Sequence, residues 1–205
     1  LISSNINASI TSVTFTIYSR YQSDLDKLKS IVRQSVIVSN LLILPIMALL
    51  AGTAESLVIL ILTEKWLPSV PYIQLFCVVY GLHHQHNINF QAISAIGRSD
   101  VFLKYQLIKK VIGISLLMFT LQFSLAVIIM GQILTAVISV IVSTRPNRML
   151  LNYSVSEQLM DFVPYLLISI VMYVTVYAVS FLEYGVLATL LLQVLLGMVV
   201  YIALA

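Results

Sequence analysis

EKWLPSVPYIQLFCVVYGLHHQHNINFQAISAIGRSD, Glu64 to Asp100, is the stretch that decides how the rest of the chain is read. Between Pro71 and Gly97 lie about twenty-five residues, enough at about 1.5 Å each to cross a ~30 Å hydrocarbon layer. Trp66 marks one end as an interfacial anchor, and Gly97, Arg98 and Asp100 mark the other. The middle is polar: His83, His84, Gln85, His86, Asn87, Asn89 and Gln91. Such side chains are unfavourable in lipid, so they are expected to face other helices or a water-filled cavity, which makes this helix a candidate solute pathway.

The composition extends the reading to the whole chain. Of 205 residues, 60% are hydrophobic and 9% charged, against roughly 25% charged in a soluble domain. A mean hydropathy of +1.02 and repeated apolar runs predict an all-α, polytopic transmembrane bundle. Runs such as Leu41 to Leu50 are apolar without alternation, against a β-barrel. The expected spans are about 1–18 (partial), 35–54, 70–96, 101–121, 123–142, 162–182 and 184–205. That is one partial and six full spans, in a fragment whose first span lacks its beginning. Pro45 is expected to kink the second span, and 55–62 either extends it at a tilt or lies along the interface. Arg20 to Arg33 and Ser143 to Asp161 are expected to be polar connections. Tyr165, Tyr184 and Tyr201 fit aromatic belts.

Ten of the 11 Lys and Arg residues fall in alternate connections: Arg20, Lys27, Lys29, Arg33, Arg98, Lys104, Lys109, Lys110, Arg145 and Arg148, with Lys65 alone opposite. By the positive-inside rule these connections are cytoplasmic, and the C-terminus with them. The net charge of +3 therefore reports topology and attraction to anionic membrane lipid, not nucleic acid. Cys77, alone in an apolar helix, excludes an intramolecular disulfide.

On a helical wheel Tyr80, His83, His84, Asn87, Gln91 and Ser94 share about 100° of arc, while Gln85, His86 and Asn89 fall elsewhere. The first group either lines a passage for sugar or pyrophosphate or ties neighbouring helices together. In the first segment Asn5, Ser9, Ser12 and Thr16 fall within about 60°. That stripe suits a cavity wall and equally a close helix contact. Lys104, Lys109 and Lys110 either attract a pyrophosphate at the cytoplasmic mouth or snorkel as ordinary anchors. No metal site is expected at His83, His84 and His86, because the wheel separates His86 from His84 and no carboxylate is near in sequence. No Asp or Glu sits mid-span, so a carboxylate relay is expected outside these residues. Walker, Gly-x-Ser-x-Gly and His-Glu-x-x-His motifs are absent, so no catalytic residue and no cofactor is expected.

SVTFTIYSRYQSDLDKLKSIVRQS at Ser12 to Ser35, LPIMALLAGTAESLVILILTEKWLPSVPYIQLFCVV at Leu44 to Val79 and AIGRSDVFLKYQLIKKVIG at Ala95 to Gly113 resemble the polysaccharide transporter family. These are the O-antigen and exopolysaccharide flippases of the multidrug/oligosaccharidyl-lipid/polysaccharide exporter superfamily. The resemblance implies a two-lobed transporter of the bacterial plasma membrane, with 1–205 as its C-terminal lobe. It would move undecaprenyl-linked oligosaccharide by alternating access, with a polysaccharide polymerase and glycosyltransferases as partners. Phe15-Thr16 stands where members often carry Phe-Pro, and Thr63 where they often carry Gly. Alternatives are an integral membrane polymerase or glycosyltransferase, against which the outer connections are short, and a drug/cation antiporter, which usually needs an intramembrane carboxylate.

Overall fold

The computed structural model describes residues 14–182 and 185–205. Helix α1 spans Leu25–Gly52, α2 Ala54–Leu62, α3 Val70–Ala95, α4 Ser99–Thr120, α5 Leu125–Leu151, α6 Val155–Ala178 and α7 Val186–Leu204. Residues 14–20 are helical, and short 3-10 turns occupy Glu64–Ser69 and Val179–Phe181. No strand occurs among the described residues. Four helical stretches are long and apolar enough to cross a membrane: Leu25–Gly52, Leu125–Leu151, Val155–Phe181 and Val186–Leu204. Helices α3 and α4 have 26 and 22 residues, but imidazoles and amides interrupt the first and lysines the second.

The two expected connections are shorter than their charged stretches, reduced to non-helical breaks at 21–24 and 152–154. α1 begins at Leu25 inside the charged stretch, because the Asp24 carboxylate accepts the Lys27 amide at 3.1 Å and caps the first turn. Arg145, Pro146 and Arg148 lie within α5, which ends only where Asn152 adopts a left-handed conformation (φ 51°). α6 starts at once, with a capping box in which the Ser154 side chain accepts the Glu157 amide and Glu157 accepts the Ser154 amide. Charged side chains thus decorate helices that run past the apolar zone. Composition registers the end of the lipid layer; caps register the end of the helix.

α1 continues as a helix through Pro45 and stops at Thr53. A separate helix α2 then follows, with Ala54, Ser56 and Val58 buried and Leu60, Ile61 and Leu62 exposed. The surroundings of the break are close-packed. A Cβ at Gly52 would come within 2.7 Å of Val176, and one at Gly197 within 2.8 Å of Leu49. Small residues let helices α1, α6 and α7 approach where lipid offers no hydrophobic drive for association.

The most extensive contacts run α7 to α6, α6 to α1, α1 to α3, α3 to α5 and α5 to α4. α3 is therefore central, flanked by α1 on one side and α5 on the other. The main buried cluster lies at the end that carries the basic residues, where Tyr18, Leu28, Val32, Val36, Ile88, Ala92, Leu151 and Tyr153 meet. The Tyr201 hydroxyl donates to the Leu41 carbonyl and ties α7 to α1, a contact the aromatic-belt reading does not contain.

At the opposite end Thr63 has φ 76° and ψ 165°, a region that a side chain makes unfavourable by about 1–3 kcal/mol. This is the position where the resembling family often carries Gly. Thr63→Gly is expected to raise stability by about 1 kcal/mol after the extra chain entropy of glycine is subtracted. The thermal midpoint of the purified protein checks this, and a lowered midpoint would contradict it.

Candidate functional site

α3 carries its polar residues to different partners. Toward α1, the Asn40 side-chain NH2 donates to the Asp161 carbonyl at 2.9 Å, so its carbonyl oxygen is left to accept from His84 Nε2 at 2.8 Å. That arrangement fixes the His84 proton on Nε2. Toward α5 and α6, Asn89 Nδ2 donates to Gln158 Oε1 at 2.9 Å and to Ser143 Oγ at 3.4 Å. Its Oδ1 accepts from Asn147 Nδ2 at 2.6 Å. Asn40, Asn89, Asn147 and Gln158 are all buried. Together they form an amide layer through four helices.

Ion pairs close the layer toward the basic end. Arg33 donates from Nε and Nη2 to both oxygens of Asp161 at 2.8 Å, and the Tyr153 hydroxyl donates to the same carboxylate at 2.9 Å. Burial, reinforced by the adjoining Asp161 carboxylate, pushes the Tyr153 phenol well above its usual range. Lys29 Nζ reaches Glu157 at 2.9 Å and the Asn152 carbonyl at 2.8 Å. Between α3 and α4, Arg98 forks onto Asp100 with two bonds of 2.9 and 2.8 Å. Its guanidinium holds that exposed carboxyl down at about 2.

A second polar knot lies at the other end. Gln193 of α7 is fully buried; its Nε2 donates to Ser180 Oγ at 2.9 Å and to the Gly52 and Val176 carbonyls at 3.3 Å, while its Oε1 accepts from Ser56 at 3.0 Å. One amide thereby serves the carbonyl freed by the break between α1 and α2.

On the third side of α3, Lys109 of α4 turns inward rather than snorkelling, and its Nζ lies 2.5 Å from His86 Nε2. Lys104 and Lys110 are exposed. The His86 ring stands edge-on to His83 at 5.1 Å and to Phe90 at 5.0 Å, and Phe90 packs on Phe102 of α4 at 5.7 Å.

The expected arc is therefore divided. His84 is buried against Asn40, His83 and Tyr80 are exposed, and Asn87, Gln91 and Ser94 are intermediate. Gln85, His86 and Asn89, set apart by the wheel, are buried. Thr16 is exposed; Asn5, Ser9 and Ser12 lie outside the described residues, as does Tyr184. Sequence reasoning missed Asn40, Asn147, Gln158 and Gln193. The available signal was a lone amide within an apolar run, at Asn40 and Gln193 above all. Among the described residues no group of three His, Cys, Asp or Glu side chains is arranged to hold a metal ion.

A cavity of about 520 Å³ opens between α1, α3 and α6. Leu44, Met47, Leu75, Leu82, Phe162 and Leu166 line it, with Gln74, Ser169 and Tyr173 as its polar fringe. No residue of the expected polar arc borders it. Its walls suit hydrocarbon, not sugar.

Residues 1–71 match the sequence profile of the family described as "Polysaccharide biosynthesis protein". The chain is 27% identical over 139 residues to the lipopolysaccharide biosynthesis protein WzxC of Escherichia coli (strain K12), a match covering 67% of this chain and 28% of that protein. Both matches are to proteins described by polysaccharide or lipopolysaccharide biosynthesis. The chain thus spans under a third of the length of this curated relative. No solved structure gives a significant match. The profile match takes in α1, α2 and the turn up to Pro71, so it covers Lys29, Arg33, Asn40 and the Thr53 break. A multi-pass membrane protein is the coarse conclusion that these matches and the four apolar helices support together.

Proposed function

We propose that this chain is the C-terminal lobe of a flippase that carries lipid-linked oligosaccharide across the bacterial plasma membrane by alternating access. The carrying observation is the match of residues 1–71 to the polysaccharide biosynthesis family on a bundle with four helices able to cross a membrane. The α3 face that bears Tyr80, His83, Asn87 and Gln91 is partly or fully accessible along the helix. Imidazoles, amides and a phenol there can hydrogen-bond sugar hydroxyls without fixing a charge. His84 is placed differently: its ring is held by Asn40 and acts as a brace behind that face. The basic connections are taken as cytoplasmic, which leaves the Trp66 end outside.

Among the described residues no acid–base or nucleophilic constellation accompanies the polar layer, which favours transport over a polymerase or glycosyltransferase. Asp161, near the start of α6, is occupied by Arg33 and Tyr153, which disfavours a free cation-binding carboxylate of the antiporter type.

Export in a strain lacking its own flippase tests the proposal. The full-length transporter should restore surface polysaccharide and clear the accumulated lipid-linked repeat units. Asn87→Ala and Gln91→Ala should lower export at normal protein level, whereas His84→Ala should lower the protein level as well. Normal export in all three would remove the passage from this face. Changed polymer length with intact translocation would favour the polymerase class.

A further inference from the structure

We infer that Lys109 and His86 form an anion site in the middle of the bundle at which binding of a phosphate group takes up a proton. Lys109 stands about 15 Å along α4 from its start at Ser99, and His86 lies about 14 Å from the end of α3 at Ala95. The two helices run to the same basic end across the Arg98–Asp100 turn, so both residues stand about midway along their helices, well inside the bundle. A lysine at that depth is unfavourable without a partner. Among the described residues no carboxylate pairs with it: Asp161 holds Arg33, Glu157 holds Lys29 and Asp100 holds Arg98.

Its partner in the bundle is a neutral ring. At 2.5 Å the ammonium donates to the Nε2 lone pair, and a single proton occupies the contact. The ring's own proton is then on Nδ1, which is buried and has no hydrogen-bond partner among the described residues. His84 also leaves its Nδ1 without a partner, but there the proton is on Nε2 toward Asn40, and Nδ1 keeps only a lone pair. At the Lys109 contact a half-buried cation lacks an anion, and a buried N–H lacks an acceptor. The Phe90–Phe102 contact lies on the side of the basic end and separates the pair from it.

A phosphate oxygen supplies what both residues lack. If Lys109 donates to the anion, Nε2 loses its donor, and beside a negative charge the ring gains a proton and becomes a second cationic donor. Without the anion that second proton is excluded by repulsion from the ammonium. Anion and proton therefore bind together, and each raises the affinity for the other by the same factor. The other titratable groups near the pair are His83 on α3 and Lys110 on α4; those of α5, Arg145 and Arg148, sit at its basic end. His83, exposed beside the His86 ring, is the polar path by which the anion reaches the site from the accessible face. This deepens the flippase reading, on which only the identity of the anion depends.

The test uses the full-length transporter in phosphatidylcholine nanodiscs, titrated calorimetrically with inorganic pyrophosphate at pH 7.5 in two buffers of different ionisation enthalpy. Wild type should bind with uptake of about one proton per anion. Lys109→Gln should weaken binding at least tenfold, as expected for one charge-assisted hydrogen bond. His86→Gln should keep measurable binding but lose the proton uptake and the steep weakening above neutral pH. Substituting phosphatidylglycerol nanodiscs separates the sources: competition assigns the site to lipid headgroup phosphate, and its absence to a soluble or substrate-borne pyrophosphate. Absence of binding in neutral lipid, binding without proton uptake, or unchanged affinity in Lys109→Gln overturns the inference. Failed complementation with intact, proton-linked binding would overturn the flippase reading and leave this site standing.

Discussion

Asp161→Ala is expected to lower the stability of the bundle by roughly 3 kcal/mol, the lower end of the range for deleting one partner of a buried ion pair. Asp161 is buried, whereas the Arg33 side chain is nearly half exposed at 45%; a freed Arg33 can rehydrate, which keeps the loss from reaching the upper end. The Tyr153 hydroxyl has no such escape. It is fully buried and loses its acceptor, which adds the desolvation penalty of an unmade hydrogen bond. The neighbouring pair supplies the contrast. Lys29 and Glu157 are 24% and 31% exposed, so Glu157→Ala should lose only about 1 kcal/mol from the ion pair plus part of the cap it gives Ser154. Thermal midpoints of the two variants in the same detergent measure the difference. Equal midpoints for Asp161→Ala and wild type would show that the carboxylate does not hold α1 to α6. Tyr153→Phe in the Asp161→Ala background should recover part of the loss, since it removes the orphaned hydroxyl.

The helical bundle was readable because lipid-crossing helices demand long apolar runs. This chain has one at Leu41 to Leu50 and another from Val186 to Leu204, where Thr189 and Gln193 are the main polar breaks. Helix ends were less readable. At Arg145 to Arg148 charge and proline suggested a connection, yet the helix continues to Leu151 because packing of α5 on α3 and the left-handed Asn152 determine its stop. Periodicity on α3 predicted which polar residues share an arc, but an arc does not say what stands opposite it. α3 is flanked by α1, α5 and α4 at once, so His84, Asn89 and His86 each find a partner on a different side. A single amphipathic face was the wrong template for a helix with three neighbours. Lys109 illustrates the same limit: its spacing from Asp100 suits snorkelling, and only the position of His86 on another helix turns it inward.

Asn89→Leu separates bracing from transport most sharply. It removes the donor to Gln158 and the acceptor from Asn147 in one substitution, while keeping the branched outline of the side chain. Two buried amides are then left short, each by about 1–3 kcal/mol in a water-excluded interior. Helix-to-helix hydrogen bonds in membranes average nearer to about 0.6 kcal/mol, because the unassembled helices also find partners. The expected loss is therefore about 2 kcal/mol, below that of Asp161→Ala. Replacing the partners together should reverse it: in Asn89→Leu with Asn147→Leu and Gln158→Leu the three amides are gone together, and stability should return to within about 1 kcal/mol of wild type. Export by that triple variant then decides what the layer does. If the amides only brace the lobe, restored stability restores export. If the layer must open and re-form as the lobes rock, an apolar seam that cannot exchange its hydrogen bonds will hold α3 to α5 and α6, and export will stay low in a protein that melts like wild type. Because the polar residues join helices otherwise held by apolar contacts, the second outcome is the one expected: an amide layer is weaker than the hydrocarbon that could replace it, and its presence at the centre of the bundle fits a contact made to be broken.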